Sequence, residues 1–157
     1  LSKEPEVILL DEPFSHIDNF KKQSLRRNLF NYLKEKNIAC IVATHDKDDV
    51  LGFADNVVVL DKNVISTINS TQELYNKPRS PLIASFFGEY NQIEPYGIVY
   101  AHQLKRVKNS DLKVTIEHSY FNGKNYLIEA KRDANKIFFE YHKTIKKGTK
   151  IYLKVLV

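Results

Sequence analysis

The sequence contains no methionine, a single cysteine and five glycines in 157 residues, and none of its apolar runs is long. The want of any methionine, an initiator included, leads to the expectation that Leu1 is not the natural start and that the chain is a fragment. Gly52, Gly88, Gly97, Gly123 and Gly148 nowhere take the G-x-x-x-x-G-K-[ST] spacing that wraps backbone N–H groups around phosphates, which excludes a self-contained P-loop enzyme. Cys40 has no partner for an internal disulfide. In the apolar run from Ile38 to Thr44 it is expected to be a buried, inert thiol, which fits a reducing cytoplasm. Val7 to Leu10 and Val57 to Leu60 fall far short of the roughly 20 residues of a membrane-spanning helix, and no basic-then-apolar leader opens the sequence. Neither a spanning segment nor a secretion signal is read.

With 43% hydrophobic against 27% charged residues, the composition is that of a folded, soluble protein of one ordinary domain or two small ones. The net charge of +5 hides an asymmetry. Residues 1–90 carry 11 Lys and Arg against 13 Asp and Glu, whereas residues 91–157 carry 13 against 6. A basic β-rich module suits nucleic acid or an anionic surface, although an evenly spread lysine-rich exterior on a small barrel is the commoner explanation.

The patterning divides at the same place. Val7 to Leu10 reads as a doubly buried strand, and the turn-forming Asp11-Glu12-Pro13-Phe14-Ser15 follows it. Asp18 then caps a predicted helix whose apolar face is Leu25, Leu29, Tyr32 and Leu33. Lys21, Lys22, Arg26, Arg27, Lys34 and Lys36 decorate the remainder, and Asn37 marks the stop. A second strand spans Ile38 to Thr44, Asp46 caps a short helix, and a third strand covers Val57 to Leu60. Such β-α-β-α-β alternation predicts parallel strands joined by right-handed crossovers. A short strand from Val64 to Ile68 and two short helices, Gln72 to Asn76 and Leu82 to Phe87, lead to Gly88. Beyond it, strands are predicted at Gly97 to Tyr100, Leu112 to His118, Asn125 to Lys131, Ile137 to Tyr141 and Lys150 to Val157, with Asn122-Gly123 as a hairpin turn. The prediction is α/β for residues 1–90 followed by an all-β, mostly antiparallel small barrel in residues 91–157.

Two strand ends carry chemistry. Asp11 and Glu12 stand at the carboxyl end of the first strand, where open α/β sheets bind ligands. Asp11 suits Mg²⁺ held partly through water, and Glu12 suits a water to be activated against a phosphoryl group. His45 ends the second strand, and if the strands are neighbours it emerges on the same edge, able to donate to a phosphate oxygen. Taken singly, each has a plainer reading, an acidic turn for the pair of carboxylates and a capping or surface residue for the histidine.

Together, Val7-Ile8-Leu9-Leu10-Asp11-Glu12-Pro13-Phe14-Ser15-His16-Ile17-Asp18 and Ala43-Thr44-His45-Asp46 resemble the second half of an ATP-binding cassette (ABC) transporter ATPase. The resemblance implies Asp11 as the Walker B aspartate and Mg²⁺ ligand, Glu12 as the catalytic glutamate and His45 as the switch histidine. It implies Ser15, His16, Ile17 and Asp18 as the D-loop, with Ser15 and Asp18 near the nucleotide; His16 departs from the small or aliphatic residue usual there. Thr71 to Pro78 and Ala84 to Gly88 are similar to the stretch leaving the cassette in importer ATPases, and residues 97–157 resemble the appended OB-like (TOBE) β-domain of the iron, sulfate, molybdate, polyamine and sugar importers. The resemblance implies ATP and Mg²⁺ as cofactors of the intact protein, a second copy of the subunit and membrane-embedded permeases as partners, and the cytoplasmic face of the membrane as location. Without Walker A, Q-loop and signature motifs, this chain alone is expected to be inactive, and its uncovered sheet edge is expected to favour self-association. A reading from another class stays open: a regulatory module binding an anion or single-stranded nucleic acid, with Tyr120, Phe121, Tyr126, Phe138, Phe139 and Tyr141 set among lysines. It requires Tyr126, Phe138 and Tyr141 to share one exposed face beside Lys131 and Lys136.

Overall fold

A computed structural model of the chain describes residues 5–156. The chain divides into two compact units, one ending at Glu73 and the other beginning at Leu74. The first unit runs β1 (Val7–Asp11), α1 (Asn19–Glu35), β2 (Ala39–Ala43), α2 (Lys47–Leu51), β3 (Asn56–Asp61) and β4 (Val64–Ser70), and α3 (Thr71–Asn76) crosses the division. Short continuous apolar runs bounded by turn residues set β1, β2 and β3. Asn37 ends α1 at φ 52°, a left-handed stop that asparagine tolerates better than most residues.

β1 and β2 pair in parallel, with Val7 opposite Ala39 and Asp11 opposite Ala43. The third predicted strand does not join them. β3 instead forms an antiparallel hairpin with β4, because Lys62 and Asn63 both adopt positive φ (48° and 63°) and turn the chain straight back. Among the described residues the parallel sheet is therefore two-stranded. One of its faces leaves Val7, Leu9 and Ile41 exposed. Cys40, in β2, is half-buried rather than fully buried, and burial pushes its thiol pKa up.

The predicted face of α1 is also displaced. Leu33 is buried and Leu29 half-buried, but Leu25 and Tyr32 are exposed. The inward stripe is Arg26, Phe30 and Leu33 at i, i+4 and i+7, with Phe30 stacked on Phe53 at 4.7 Å and edge-on to Phe14 at 5.9 Å.

The second unit begins its regular structure with α4 (Pro81–Phe87), where Ser80 Oγ accepts from the Ile83 N–H at 3.4 Å and proline occupies the first helical position. A hairpin of β5 (Tyr90–Ile93) and β6 (Gly97–Tyr100) follows, then a 3₁₀ turn (Ala101–Gln103). The remaining strands, β7 (Leu104–Val107), β8 (Leu112–Phe121), β9 (Tyr126–Arg132), β10 (Asn135–Tyr141) and β11 (Lys150–Val155), form one antiparallel sheet in the order β10-β9-β8-β11-β7. Four of these five were predicted; β7 is short and carries Lys105 and Arg106, so it gave no apolar signal. The Asn122-Gly123 turn joins β8 to β9, with Gly123 at φ 97°. Val114, Ile116, Ile128, Ala130, Phe139, Ile151 and Leu153 fill the core. No ladder among the described residues joins β10 to β7, so the sheet is antiparallel as predicted but is not closed into a barrel by strand pairing.

Candidate functional site

The parallel register of β1 and β2 brings their carboxyl ends out together. The Glu12 N–H donates to the Ala43 carbonyl at 2.9 Å, which carries the ladder one residue past β1. Glu12 then turns at φ 44°, a left-handed conformation that costs a glutamate about 1–2 kcal/mol and is uncommon outside functional or turn positions. The turn is held by Ser15, whose Oγ donates to the Glu12 carbonyl at 2.9 Å and whose N–H reaches the same oxygen at 3.2 Å.

From this position the Glu12 carboxylate crosses to the loop after β2. Its Oε1 accepts from the His45 N–H at 3.1 Å and lies 2.6 Å from His45 Nδ1. With Nδ1 as the donor, Nε2 is left to a second partner on a ring whose side chain is 84% exposed. Asp11 ends β1 with its residue exposed, directly opposite Ala43. Ser15 Oγ also lies 2.9 Å from His16 Nδ1, so both stay within the local turn. Asp18 occupies the cap of α1, where its carbonyl accepts from the N–H groups of Lys21 and Lys22; its side chain makes no cap bond.

One exposed carboxylate is what a Mg²⁺ ion needs from a protein that leaves its other positions to water and phosphate, so Asp11 fits that task. Among the described residues no three His, Cys, Asp or Glu side chains gather as a metal cluster. No glycine lies in the loops after β1 or β2, so these residues offer no phosphate cradle of their own.

Behind the exposed pair is a buried ionic group that the sequence did not announce. Arg26 is only 1% exposed. Its Nε donates to Asp49 Oδ1 at 2.5 Å and its Nη2 to Asp46 Oδ2, while Thr44 Oγ1 donates to Asp49 Oδ2 at 2.6 Å. Thr44 Oγ1 also accepts the Asp46 N–H at 3.0 Å, and Asp46 Oδ1 caps α2 through the Asp48 N–H at 3.0 Å. Burial acts to lower the Arg26 pKa, but the hydrogen bonds and charges of Asp49 and Asp46 outweigh it and hold the guanidinium pKa above its ordinary value. Burial likewise acts to raise the Asp46 pKa, yet the Asp48 N–H and Arg26 hold it below 3.8. The helical pattern of the sequence alone places Arg26 outside the apolar face of α1, whereas the structure buries it. Its position at i−4 from Phe30 and i−7 from Leu33 was the available signal.

In the second unit the aromatic residues separate. Tyr126 and Tyr141 are cross-strand partners packed on the core, and Phe139 is fully buried. Phe138 is on the opposite face of β10 from Tyr141, the face shared by the cross-strand pair Lys131 and Lys136. The single exposed aromatic face required for stacking bases is thus not formed by these three rings; strand alternation splits them.

No protein-family model matches the chain. It is 31% identical over 140 residues to the spermidine/putrescine import ATP-binding protein PotA of Bacillus thuringiensis, a match covering 89% of this chain and 43% of that protein. It is 38% identical over 94 residues to the sulfate/thiosulfate import ATP-binding protein CysA of Acinetobacter baylyi, covering 60% of this chain and 27% of the relative. The corresponding protein of Pseudomonas aeruginosa is 37% identical over 94 residues. The chain thus spans less than half the length of the relatives it matches, and over most of its own length it is distantly similar to ATP-binding subunits of ABC importers.

Proposed function

We propose that this homologue of ABC importer ATPase subunits is the later part of such a subunit, with residues 1–90 from the cassette and residues 91–157 forming an OB-like (TOBE) appendage. The observation that carries the reading is the 2.6 Å contact between Glu12 and His45 across the ends of two parallel strands. When bound, ATP and Mg²⁺ supply the phosphoryl group and neutralise its charge. Asp11 would hold the metal. The Glu12 carboxylate orients a water and accepts its proton, and the left-handed turn at Glu12 aims that carboxylate toward the His45 loop. His45 donates through Nδ1 to Glu12, and in its doubly protonated form it also donates through Nε2 to a terminal phosphate oxygen. Ser15 shapes the turn through the Glu12 carbonyl, and Asp18 sets the start of α1.

The intact subunit would pair with a second copy and couple closure to permeases at the cytoplasmic membrane face; a polyamine or sulfate cargo is within the range of its relatives. No described helix is long and apolar enough to cross a membrane, which suits a peripheral role. In the full-length subunit, Glu12→Gln is expected to retain nucleotide and to lower turnover about 10²–10⁴-fold. Unchanged hydrolysis would refute the assignment. The 157-residue chain alone is expected neither to bind Mg·ATP at micromolar concentration by calorimetry nor to hydrolyse it. Its exposed Val7, Leu9 and Ile41 favour self-association.

A further inference from the structure

We propose that Arg26 is a positioning residue that fixes the loop carrying His45 against the turn carrying Glu12. The inference rests on the reading of Glu12 and His45 as the working pair, but its geometry is independent of any nucleotide. Arg26 is engaged from both sides. Its guanidinium lies over the Phe14 ring at 5.4 Å, two residues beyond Glu12, and Phe14 is buried edge-on to Phe30, one turn further along α1. On the other side it bonds Asp46 and Asp49, one and four residues beyond His45. Asp49 takes the Thr44 hydroxyl, and that hydroxyl oxygen accepts the Asp46 N–H, so both neighbours of His45 are tied into the group Arg26 anchors. The amide between them, that of His45, is the one that reaches Glu12.

The choice of residue fits this task. A helix that needed only a packed face would take leucine or methionine at position 26, since a buried ion pair is often no more stabilising than apolar side chains of equal volume. Arginine offers five donors in a planar fork that stacks on a ring and engages two carboxylates at once, which a lysine ammonium does with less directional control. The buried fork therefore defines where the His45 loop stands.

Amide hydrogen exchange on the 157-residue chain tests this without nucleotide. In Arg26→Gln the His45 and Asp46 amides are expected to exchange about tenfold faster or more, while the β1–β2 ladder amides stay within about twofold of wild type; Arg26→Lys is expected to recover part of the protection. An unchanged His45 amide, or equal acceleration throughout the β1–β2 ladder, would overturn the proposal. Should Arg26→Gln not fold, Phe14→Leu withdraws the ring beneath the guanidinium while keeping an apolar side chain. It is expected to accelerate His45 selectively, and a wild-type rate there would overturn the proposal equally. Failure of the Glu12→Gln hydrolysis test leaves these exchange rates untouched, so the two readings fail separately.

Discussion

Replacing Asn91 by alanine is expected to destabilise the second unit by about 2–4 kcal/mol. Asn91, in β5, is 4% exposed. Its Nδ2 donates to the Phe138 carbonyl at 2.8 Å and its Oδ1 accepts from the Phe138 N–H at 2.7 Å, so one side chain gives β10 the two bonds a neighbouring strand would otherwise give. A third, longer bond reaches the Val99 carbonyl at 3.3 Å. Alanine deletes all three. The two short bonds account for about 2 kcal/mol at roughly 1 kcal/mol each, and stranding the part-buried Phe138 N–H and C=O adds up to about 2 kcal/mol more; the longer bond is given no weight. Asn91→Asp keeps the acceptor, loses both donors and sets a buried carboxylate beside two carbonyls, so it is expected to be at least as costly. Urea unfolding followed by tyrosine fluorescence reads the right unit. The sequence has no tryptophan, and of its nine tyrosines only Tyr32 precedes Leu74. A loss below about 0.5 kcal/mol for Asn91→Ala would refute the reasoning, because it would mean that the Phe138 backbone finds equal partners without the side chain.

Two further tests address buried polar groups. The Tyr100 hydroxyl is buried with no hydrogen-bond partner among the described residues, and burial, followed by the neighbouring Tyr75, pushes its pKa up to about 12. Tyr100→Phe is therefore expected to leave stability unchanged or raise it by up to about 1 kcal/mol, a gain of several degrees in Tm by circular dichroism; a fall of similar size would show that the phenol is satisfied in solution. Asp46 provides an acid-dependence test. Because its folded pKa lies below the ordinary 3.8, its contribution to stability is fully present above that value and is lost as pH falls through the depressed one. The helical signal of the chain, followed against urea, is expected to hold its midpoint from about pH 7 to 5 and to lose it below about pH 4. Asp46→Asn should lower stability at neutral pH and flatten that loss; an identical acid profile would remove Asp46 as a cause.

What was legible in the sequence is what is decided at short range. β1 and β2 were readable because four or five consecutive apolar residues between turn formers leave little alternative, and Asn37 and Asn122-Gly123 announced their turns because left-handed backbone restricts the choice of residue. Strand partners are chosen at longer range. The β-α-β-α-β pattern predicted a third parallel strand, and only the two positive φ angles at Lys62 and Asn63, neither of them glycine, made β3 a hairpin strand instead. β5 and β7 were missed for a related reason: Asn91 and Gln92, or Lys105 and Arg106, dilute a four-residue strand below any periodic signal, and their neighbours supply the pattern.

The same distinction runs through the candidate site. Asp11, Glu12 and His45 could be picked out because each stands at the end of an apolar strand, and a parallel register brings those two strand ends out on the same edge. Nothing comparable marked Arg26. A charged residue among Lys21, Lys22 and Arg27 reads as solvated, because arginine is rarely buried unless paired, and its partners Asp46 and Asp49 lie 20 and 23 residues away. Its one local cue was the spacing to Phe30 and Leu33, which competes with the equally regular stripe of Leu25, Leu29 and Tyr32. Choosing between those stripes required knowing that Phe14 and Phe53 stand on one side of α1. The groups suited to chemistry thus sit on strand ends that the sequence marks, whereas the buried arginine behind them sits on a helix whose inward face only the tertiary packing defines.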